Sequence, residues 1–249
     1  MIYITGDCHA EYGRFNRKNF PEQAGMTQEE DYVIVCGDFG YRDHSREQEW
    51  WCKWLAKKPF TLLFVGGNHE NFDMLAELPI EQGWHGGKVQ YIYENIIHLM
   101  RGQLYELCGR KIFAFGGARS HDIRDGILEL DDPDYKKKCK ALSSTGALFR
   151  VNHFSWWKEE MPDKEEYEEG IRNLAANNWE VDFIITHCTA SSTQAVLSGG
   201  LYEPDELTGY LDEVKRKCLY KKWFFGHYHD NMAVTNKDLL LYEQIIRIA

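Results

Sequence analysis

The sequence predicts an α/β protein built as a layered sandwich, and three observations lead to this prediction. In the first half of the chain, short β-branched or aromatic runs alternate with helical patterns, as in βαβ units. Residues 88–116 instead alternate short strands with tight turns, as in a β-meander. The hydrophobic fraction, 43% of 249 residues, is sufficient for a folded core. A purely parallel sheet does not explain the meander, so we expect layers of mixed sheet and helix.

In the first 115 residues, we predict a strand at each short apolar run that ends in Gly or a polar turn. Ser45 is a good N-cap for a helix to Lys58 whose apolar face carries Trp50, Trp51, Trp54 and Leu55. We also expect a polar helical segment after the first strand, a short helix over Asn71–Leu78 that ends before Pro79, and a loop over 83–87. The predicted strands are Ile2–Thr5, Asp31–Cys36, Phe60–Val65, Val89–Tyr93, Ile96–Met100, Gln103–Leu107 and Lys111–Phe115.

The second half begins with a charged, aromatic and poorly periodic stretch over about 119–162. Long irregular segments within a domain are usually functional or disordered, and the Trp156-Trp157 pair argues against disorder. We therefore predict one domain, 1–249, with a cap or insert at about 119–162. The remaining predicted elements are helices over Asp163–Asn178 and Glu206–Tyr220, strands over Val181–Thr186 and Trp223–Phe225, and a closing hairpin of Met232–Thr235 with Leu239–Ile246.

Composition excludes several classes of protein. The net charge of −10 argues against a broad nucleic-acid surface, although bound cations would still allow a phosphate substrate. Seven scattered cysteines without a C-x-x-C motif indicate reduced thiols and a cytoplasmic protein. No stretch reaches 18 apolar residues and no signal peptide is expected, so we predict no membrane association. The Trp-rich surfaces leave a homo-oligomer open.

Histidines and carboxylates recur directly after the predicted strands. Residues i and i+2 of an extended segment share a face, so Asp7 and His9 can grip one ion together. Glycines before these residues allow a sharp exit from the strand, and mixed Asp, Asn and His ligands suit Mn, Fe, Zn or Ni. Together the segments predict a polynuclear metal site at one sheet edge. They are Asp7-Cys8-His9, Gly37-Asp38, Gly66-Gly67-Asn68-His69-Glu70, Thr186-His187 and Gly226-His227-Tyr228-His229.

With these motifs spanning Asp7 to His229, the sequence resembles the calcineurin-like metallophosphoesterase superfamily. The resemblance implies a four-layer fold of two mixed β-sheets flanked by helices. It also implies two divalent transition metal ions, with Mn expected and Fe, Zn or Ni as alternatives, bridged by Asp38 and typically ~3.5–4 Å apart. One ion would take Asp7, His9, Asp38 and His229, and the other Asp38, Asn68, His187 and His227.

The resemblance further implies that a water or hydroxide between the ions attacks phosphorus, while His69 serves the leaving group as the catalytic histidine. Glu70 is either an orienting group near the ligands or an ordinary acid at the start of the next helix. Arg42, Arg119 and Arg150 are candidates for binding the substrate phosphate.

One departure from the family pattern bears on the substrate. Tyr41 stands where protein phosphatases of the superfamily carry the Asp that supports the catalytic histidine, which makes a Ser/Thr phosphatase a weaker candidate. Gly116-Gly117-Ala118-Arg119-Ser120, Arg150 and Ser155-Trp156-Trp157 are similar to a bacterial and phage branch, with 125–149 enlarged.

We therefore predict a metal-dependent phosphoesterase that hydrolyses a phosphomonoester or phosphodiester of a small molecule, nucleotide or phosphoprotein. Within this class, a nuclease or cyclic-nucleotide diesterase, a dinucleoside-polyphosphate hydrolase and a phosphoprotein phosphatase remain open. A non-catalytic scaffold of the same fold is the alternative from another class. His121 and His153 match no motif, and we expect them at the surface, with an approach to the site as the alternative.

Overall fold

The computed structural model describes all residues, 1–249, as fifteen strands and six α-helices. The helices are α1 (Arg46–Leu55), α2 (Phe72–Ala76), α3 (Tyr135–Ser144), α4 (Lys164–Ala176), α5 (Ser191–Ser198) and α6 (Glu206–Lys217). The strands are β1 (Ile2–Thr5), β2 (Tyr32–Val35), β3 (Thr61–Val65), β4 (Ile80–Trp84), β5 (Gly87–Tyr93), β6 (Ile96–Leu99), β7 (Gln103–Leu107), β8 (Arg110–Phe115), β9 (Ile127–Leu128), β10 (Arg150–Val151), β11 (Phe183–Thr186), β12 (Lys222–Phe225), β13 (Met232–Ala233), β14 (Asp238–Leu240) and β15 (Ile246–Arg247).

Two large mixed sheets form the centre of the molecule. The first has the strand order β15-β1-β2-β3-β6-β5-β4, and the second has the order β13-β14-β12-β11-β8-β7. Strands β1, β2, β3 and β6 run parallel, as do β8, β11, β12 and β14, while antiparallel strands complete the edges. The predicted α/β fold of two mixed sheets flanked by helices is confirmed.

Alternation of side chains along each strand builds three apolar layers. Ile2 and Ile4 of β1 pack between the sheets against residues such as Ile185 of β11. Tyr3 points to the opposite face, where α1 and α2 cover the first sheet. Trp223 of β12 belongs to the outer layer of the second sheet, under α4 and α6. Each buried Ile or Leu side chain contributes roughly 1.5–3 kcal/mol to the free energy of unfolding. The three layers therefore stabilise the packing of the two sheets and fix the positions of their edges.

The helix starts follow their capping residues. Ser45 accepts a hydrogen bond from the backbone N–H of Gln48, as expected for the N-cap of α1. Asp163 and Glu166 form a reciprocal capping box at the start of α4. The predicted apolar face of α1 is wrong at Trp50, which is 55% exposed, whereas Leu55 is buried as predicted and Cys52 is buried beside it.

Four other element predictions are wrong. The predicted loop over 83–87 contains the end of β4 and the start of β5, and β4 is an exposed edge strand without an apolar pattern. The segment after β1 holds only two 3-10 turns, Tyr12–Phe15 and Pro21–Gly25. Helix α5 was not predicted. The closing hairpin ends at Leu240, and β15 crosses over to pair with β1.

The segment 119–162 packs against the rest of the chain through a few polar contacts. Its helix α3 buries no residue, and β9 pairs only with β10. Asp73 of α2 accepts hydrogen bonds from His153 (2.9 Å) and from the indole N–H of Trp157 (2.7 Å). These contacts join the segment to the helix that follows the Asn68-His69-Glu70 motif. Separately, none of the six helices combines the length and the apolar character needed to cross a bilayer.

Candidate metal centre

The carboxyl ends of five parallel strands meet at one edge of the molecule. Strands β1, β2 and β3 lie side by side in the first sheet, and β11 and β12 lie side by side in the second. The loops that leave these strands carry all seven side chains predicted to bind metal. The structure therefore brings together residues that are up to 222 positions apart in the sequence, from Asp7 to His229.

One group of donors consists of Asp7, His9, Asp38 and His229, whose ligand atoms all lie within 4.8 Å of one another. The Nε2 atoms of His9 and His229 are 2.9 Å apart. Nε2 of His229 also lies 3.1 Å from Oδ2 of Asp7. Two imidazole nitrogens and a carboxylate that converge in this way form the donor set of a divalent cation.

A second group surrounds His187, which is fully buried. Its Nε2 lies 3.1 Å from Oδ1 of Asn68 and 3.4 Å from Oδ2 of Asp38. Its Nδ1–H donates to the carbonyl oxygen of Cys36 at 2.8 Å, which turns Nε2 towards Asn68 and Asp38. The ring of His227 is 5.0 Å from that of His187, centroid to centroid. Asp38 faces both groups, because the same Oδ2 is 3.8 Å from Nε2 of His9.

The charges at this edge fit bound cations. Asp7 and Asp38 are each only 1% exposed, and imidazoles are the only ion-pair partners of their carboxylates. Burial opposes ionisation of both and is the largest single effect, but the neighbouring histidines, His187 foremost, together outweigh it and lower the pKa values of both carboxyl groups. Burial likewise opposes the charged form of His187, yet the two carboxylates raise its pKa to about 9. Two buried carboxylates whose ion-pair partners are all imidazoles would be stabilised by divalent cations bound between them.

The backbone at these residues is strained in a way typical of functional sites. His9, Asp38, His227 and His229 all have positive φ angles, between 46° and 68°. Gly67 lies so close to Asp38 that a Cβ there would overlap its carboxylate oxygen. A residue without a side chain is therefore needed at position 67, in agreement with the expected role of glycine in close backbone approach.

Comparison with known proteins identifies the family. The sequence model of the family described as calcineurin-like phosphoesterase matches residues 1–231. This chain belongs to that family. The predicted resemblance is confirmed.

The individual relatives are distant. The chain is 29% identical to lariat debranching enzyme A of Xenopus laevis over 55% of this chain and 27% of that protein. It is 26% identical to the human lariat debranching enzyme over 63% of this chain and 29% of that protein. The chain thus matches less than a third of the length of these relatives. The solved phosphopantetheinyl hydrolase of Mycobacterium tuberculosis aligns with 97% of this chain and 87% of its own at 15% identity and a TM-score of 0.42.

In this calcineurin-like phosphoesterase, Glu70 holds the loop that follows Asp38. Its fully buried carboxylate accepts hydrogen bonds from the backbone N–H groups of Phe39 (2.6 Å), Gly40 (3.0 Å) and Tyr41 (2.9 Å). Burial and the charge of Asp38 raise the pKa of Glu70 to about 7, against the effect of these three donors. Of the two interpretations left open by the sequence, the contacts favour an orienting group over a helix-terminal acid.

Asn68 has a support of its own. Its side-chain amide donates to Oγ of Ser120 (3.2 Å), which leaves Oδ1 directed towards His187. The Ser120 hydroxyl in turn donates to Glu160 (2.5 Å), a carboxylate that is 1% exposed. The sequence places Ser120 in a motif without a role and does not mark Glu160 at all, because nothing in their local pattern signals a contact with a loop 52 and 92 positions earlier.

His69 lies at the centre without a side-chain hydrogen bond of its own. Its backbone N–H donates to Oδ1 of Asp38 (2.8 Å), and its ring packs edge-on against His9 at 5.5 Å. Burial lowers its pKa, although the charge of Asp38 opposes this. Arg150 donates a hydrogen bond through Nε to Asp122 at 2.8 Å. The charge of Arg150 contributes to lowering the pKa of His69, and His69 contributes to lowering the pKa of Asp122.

The other predicted residues are placed less centrally. Arg42 and Arg119 are exposed, and Arg119 lines a cleft next to His121. His121 is exposed, as expected, and it also approaches the site, since its Nε2 lies 3.1 Å from Nε2 of His227. His153 is 57% exposed, as expected, and pairs with Asp73.

Proposed function

We propose that the protein hydrolyses a phosphomonoester or phosphodiester at a centre that holds two divalent cations. Asp38 would be shared between the ions. The observation that carries this proposal is its Oδ2 atom, which faces His9 on one side and His187 on the other within 4 Å. The remaining proposed ligands are Asp7 and His229 beside His9, and Asn68 and His227 beside His187.

The roles of the chain's residues follow from their positions. The bound cations supply the charge that activates water and stabilises the phosphoryl oxygens. His69 projects from the same loop as Asn68 and donates a proton to the leaving oxygen. Arg150, held by Asp122, provides a guanidinium that pairs with a phosphate oxygen near His69. Arg42 and Arg119 would contact the substrate farther from the reacting atoms.

Several finer points belong to the same proposal. Manganese is the proposed metal, with iron, zinc and nickel as alternatives to be separated by metal analysis. The free state of all seven cysteines supports a cytoplasmic location. The absence of Asp at position 41 favours small phosphoesters or nucleotides over phosphoproteins as substrates. Segment 119–162 would act as a cap on the centre.

Hydrolysis of p-nitrophenyl phosphate and bis(p-nitrophenyl) phosphate with added Mn²⁺ tests the function. Asp38→Asn and His187→Ala should each lower turnover at least about a hundredfold, beyond the loss usual for groups that only orient a ligand. His44→Ala, at a side chain 71% exposed, is the matched control and should keep full activity. Turnover close to that of the wild type in both ligand variants would refute the proposal. Purification without bound transition metal would instead point to a scaffold.

A further inference from the structure

A cleft of about 510 Å³ opens beside the proposed metal centre. It lies between the loop after β8, helix α5 and the segment before α6, and His121 stands at its inner end. Because Nε2 of His121 is 3.1 Å from Nε2 of His227, the cleft begins where the second group of donors ends. A molecule with its phosphate at the centre would extend into this space.

One wall of the cleft is a flat aromatic surface. Tyr202 is 43% exposed and stacks on His121 with ring centroids 5.8 Å apart and planes 22° from parallel. It also stacks on Tyr228 at 5.8 Å and 25°. Tyr202 thus presents part of a stack of near-parallel rings to the cleft, and exposed aromatic rings are the groups on which nucleobases stack in proteins that bind single strands.

The polar groups of the cleft point to the same kind of molecule. Gln194 is 5% exposed and donates to the Tyr228 hydroxyl at 3.3 Å, but its Oε1 is buried without a hydrogen-bond donor. A buried acceptor of this kind calls for an N–H from a ligand. Arg119 and Arg124 are exposed and unlike Arg150 have no carboxylate partner.

The cleft is not a simple anion site. Glu203 and Asp205 line it together with the two arginines, so a bare phosphate meets charges of both signs. A nucleotide matches charges of both signs, because its phosphate oxygens accept hydrogen bonds from guanidinium groups while the N–H groups of its base can donate to carboxylates.

We propose that this cleft binds the nucleoside part of a phosphate ester whose phosphate lies at the metal centre. The base stacks on Tyr202 and His121 and donates to Oε1 of Gln194. Arg119 and Arg124 pair with phosphate groups beyond the one that is cleaved. This inference rests on the proposed function for the position of the phosphate, and it names a nucleoside phosphate as the substrate class.

The test compares AMP with ribose 5-phosphate, which has the same phosphate and sugar but no base. Both are titrated calorimetrically into Mn²⁺-loaded His69→Ala protein, in which hydrolysis is slowed and the cleft is intact. AMP should bind about tenfold more tightly, as expected for one base–aromatic stack. Adding Tyr202→Ala should reduce this ratio to about twofold or less, whereas Trp50→Ala, which removes an exposed aromatic on α1, should leave it unchanged.

A second comparison addresses the arginines. ADP should bind more tightly than AMP, and Arg124→Ala should remove that gain. The inference would be overturned by equal affinity for AMP and ribose 5-phosphate, by no measurable binding of either, or by an affinity ratio that Tyr202→Ala leaves unchanged. These outcomes are distinct from failure of the proposed function, which is a lack of Mn²⁺-dependent hydrolysis in the wild type. Base-dependent binding by an inactive wild type would support the cleft and refute only the catalysis.

Discussion

Replacing Glu70 by Gln should destabilise the loop that carries Asp38. The Glu70 carboxylate is the acceptor for three consecutive backbone N–H groups, those of Phe39, Gly40 and Tyr41. Glutamine has nearly the same shape, but it offers one oxygen and presents its NH₂ group to donors that need an acceptor. The substitution therefore changes the hydrogen bonding while it leaves the packing almost intact.

The magnitude follows from the number of bonds at risk. A hydrogen bond to a charged group contributes about 1.5–3 kcal/mol, and the amide would lose one or two of the three. Removal of a buried charge offsets part of this loss, so we expect the free energy of unfolding to fall by about 2–4 kcal/mol. For a domain of this size, each kcal/mol corresponds to roughly 2–4 °C, so Tm should fall by roughly 5–15 °C.

Thermal unfolding followed by circular dichroism in the presence of a chelator separates this effect from metal binding, at a pH above 8 so that Glu70, whose pKa is raised to about 7, is ionised. The matched control is Glu77→Gln, at a side chain 68% exposed, which should change stability by no more than about 0.5 kcal/mol. In the folded state at low temperature, Glu70→Gln should also bind Mn²⁺ more weakly, because Asp38 precedes the released N–H groups. An unchanged Tm would show that this carboxylate does not hold the loop.

Three further predictions use other parts of the molecule. Mn²⁺ at 100 times its dissociation constant should stabilise the protein by about 2.7 kcal/mol per site in differential scanning calorimetry, and no shift on chelation would contradict the metal centre. Arg150→Ala should raise KM about tenfold or more in the p-nitrophenyl phosphate assay with unchanged metal content, whereas loss of metal would assign it a structural role. The hydrogen bond with Asp73 raises the pKa of His153 above 6.5, so the stability it adds is complete below pH 6.5 and is lost as pH rises through the higher value in the folded protein. Urea unfolding should therefore show His153→Asn to be less stable than the wild type only on the acidic side, by under about 1 kcal/mol because the pair is exposed, and a pH-independent difference would contradict this.

The strands and their glycine-bounded ends could be predicted because buried parallel strands require continuous apolar runs. Strand β4 could not, since an exposed edge strand needs no such run, and Ile80 to Gly83 are exposed. Helix α5 combines small and polar residues without a clear apolar stripe, so no periodicity marks it. Both omissions lie at the periphery, and neither shifts a strand that leads into the centre.

The residues of the site likewise divide into those that could be predicted from the sequence and those that could not. The seven predicted ligands could be selected because each follows a strand directly, and parallel strands bring their carboxyl ends to one edge. His121, Ser120 and Glu160 lie in or beside the irregular segment, where no strand or helix period fixes their place. Their positions depend on how a loop folds back, and this information is spread over contacts distant in sequence. The metal-binding roles of the seven residues stay predictions until the variants are measured.

The division of the donors between two sheets has a consequence for assembly of the enzyme. Asp7, His9, Asp38 and Asn68 leave the first sheet, whereas His187, His227 and His229 leave the second. A chain with only one of these layers formed would display the carboxylates with a single imidazole, or three imidazoles without carboxylates. Cation binding at the proposed centre therefore requires that the two sheets have docked.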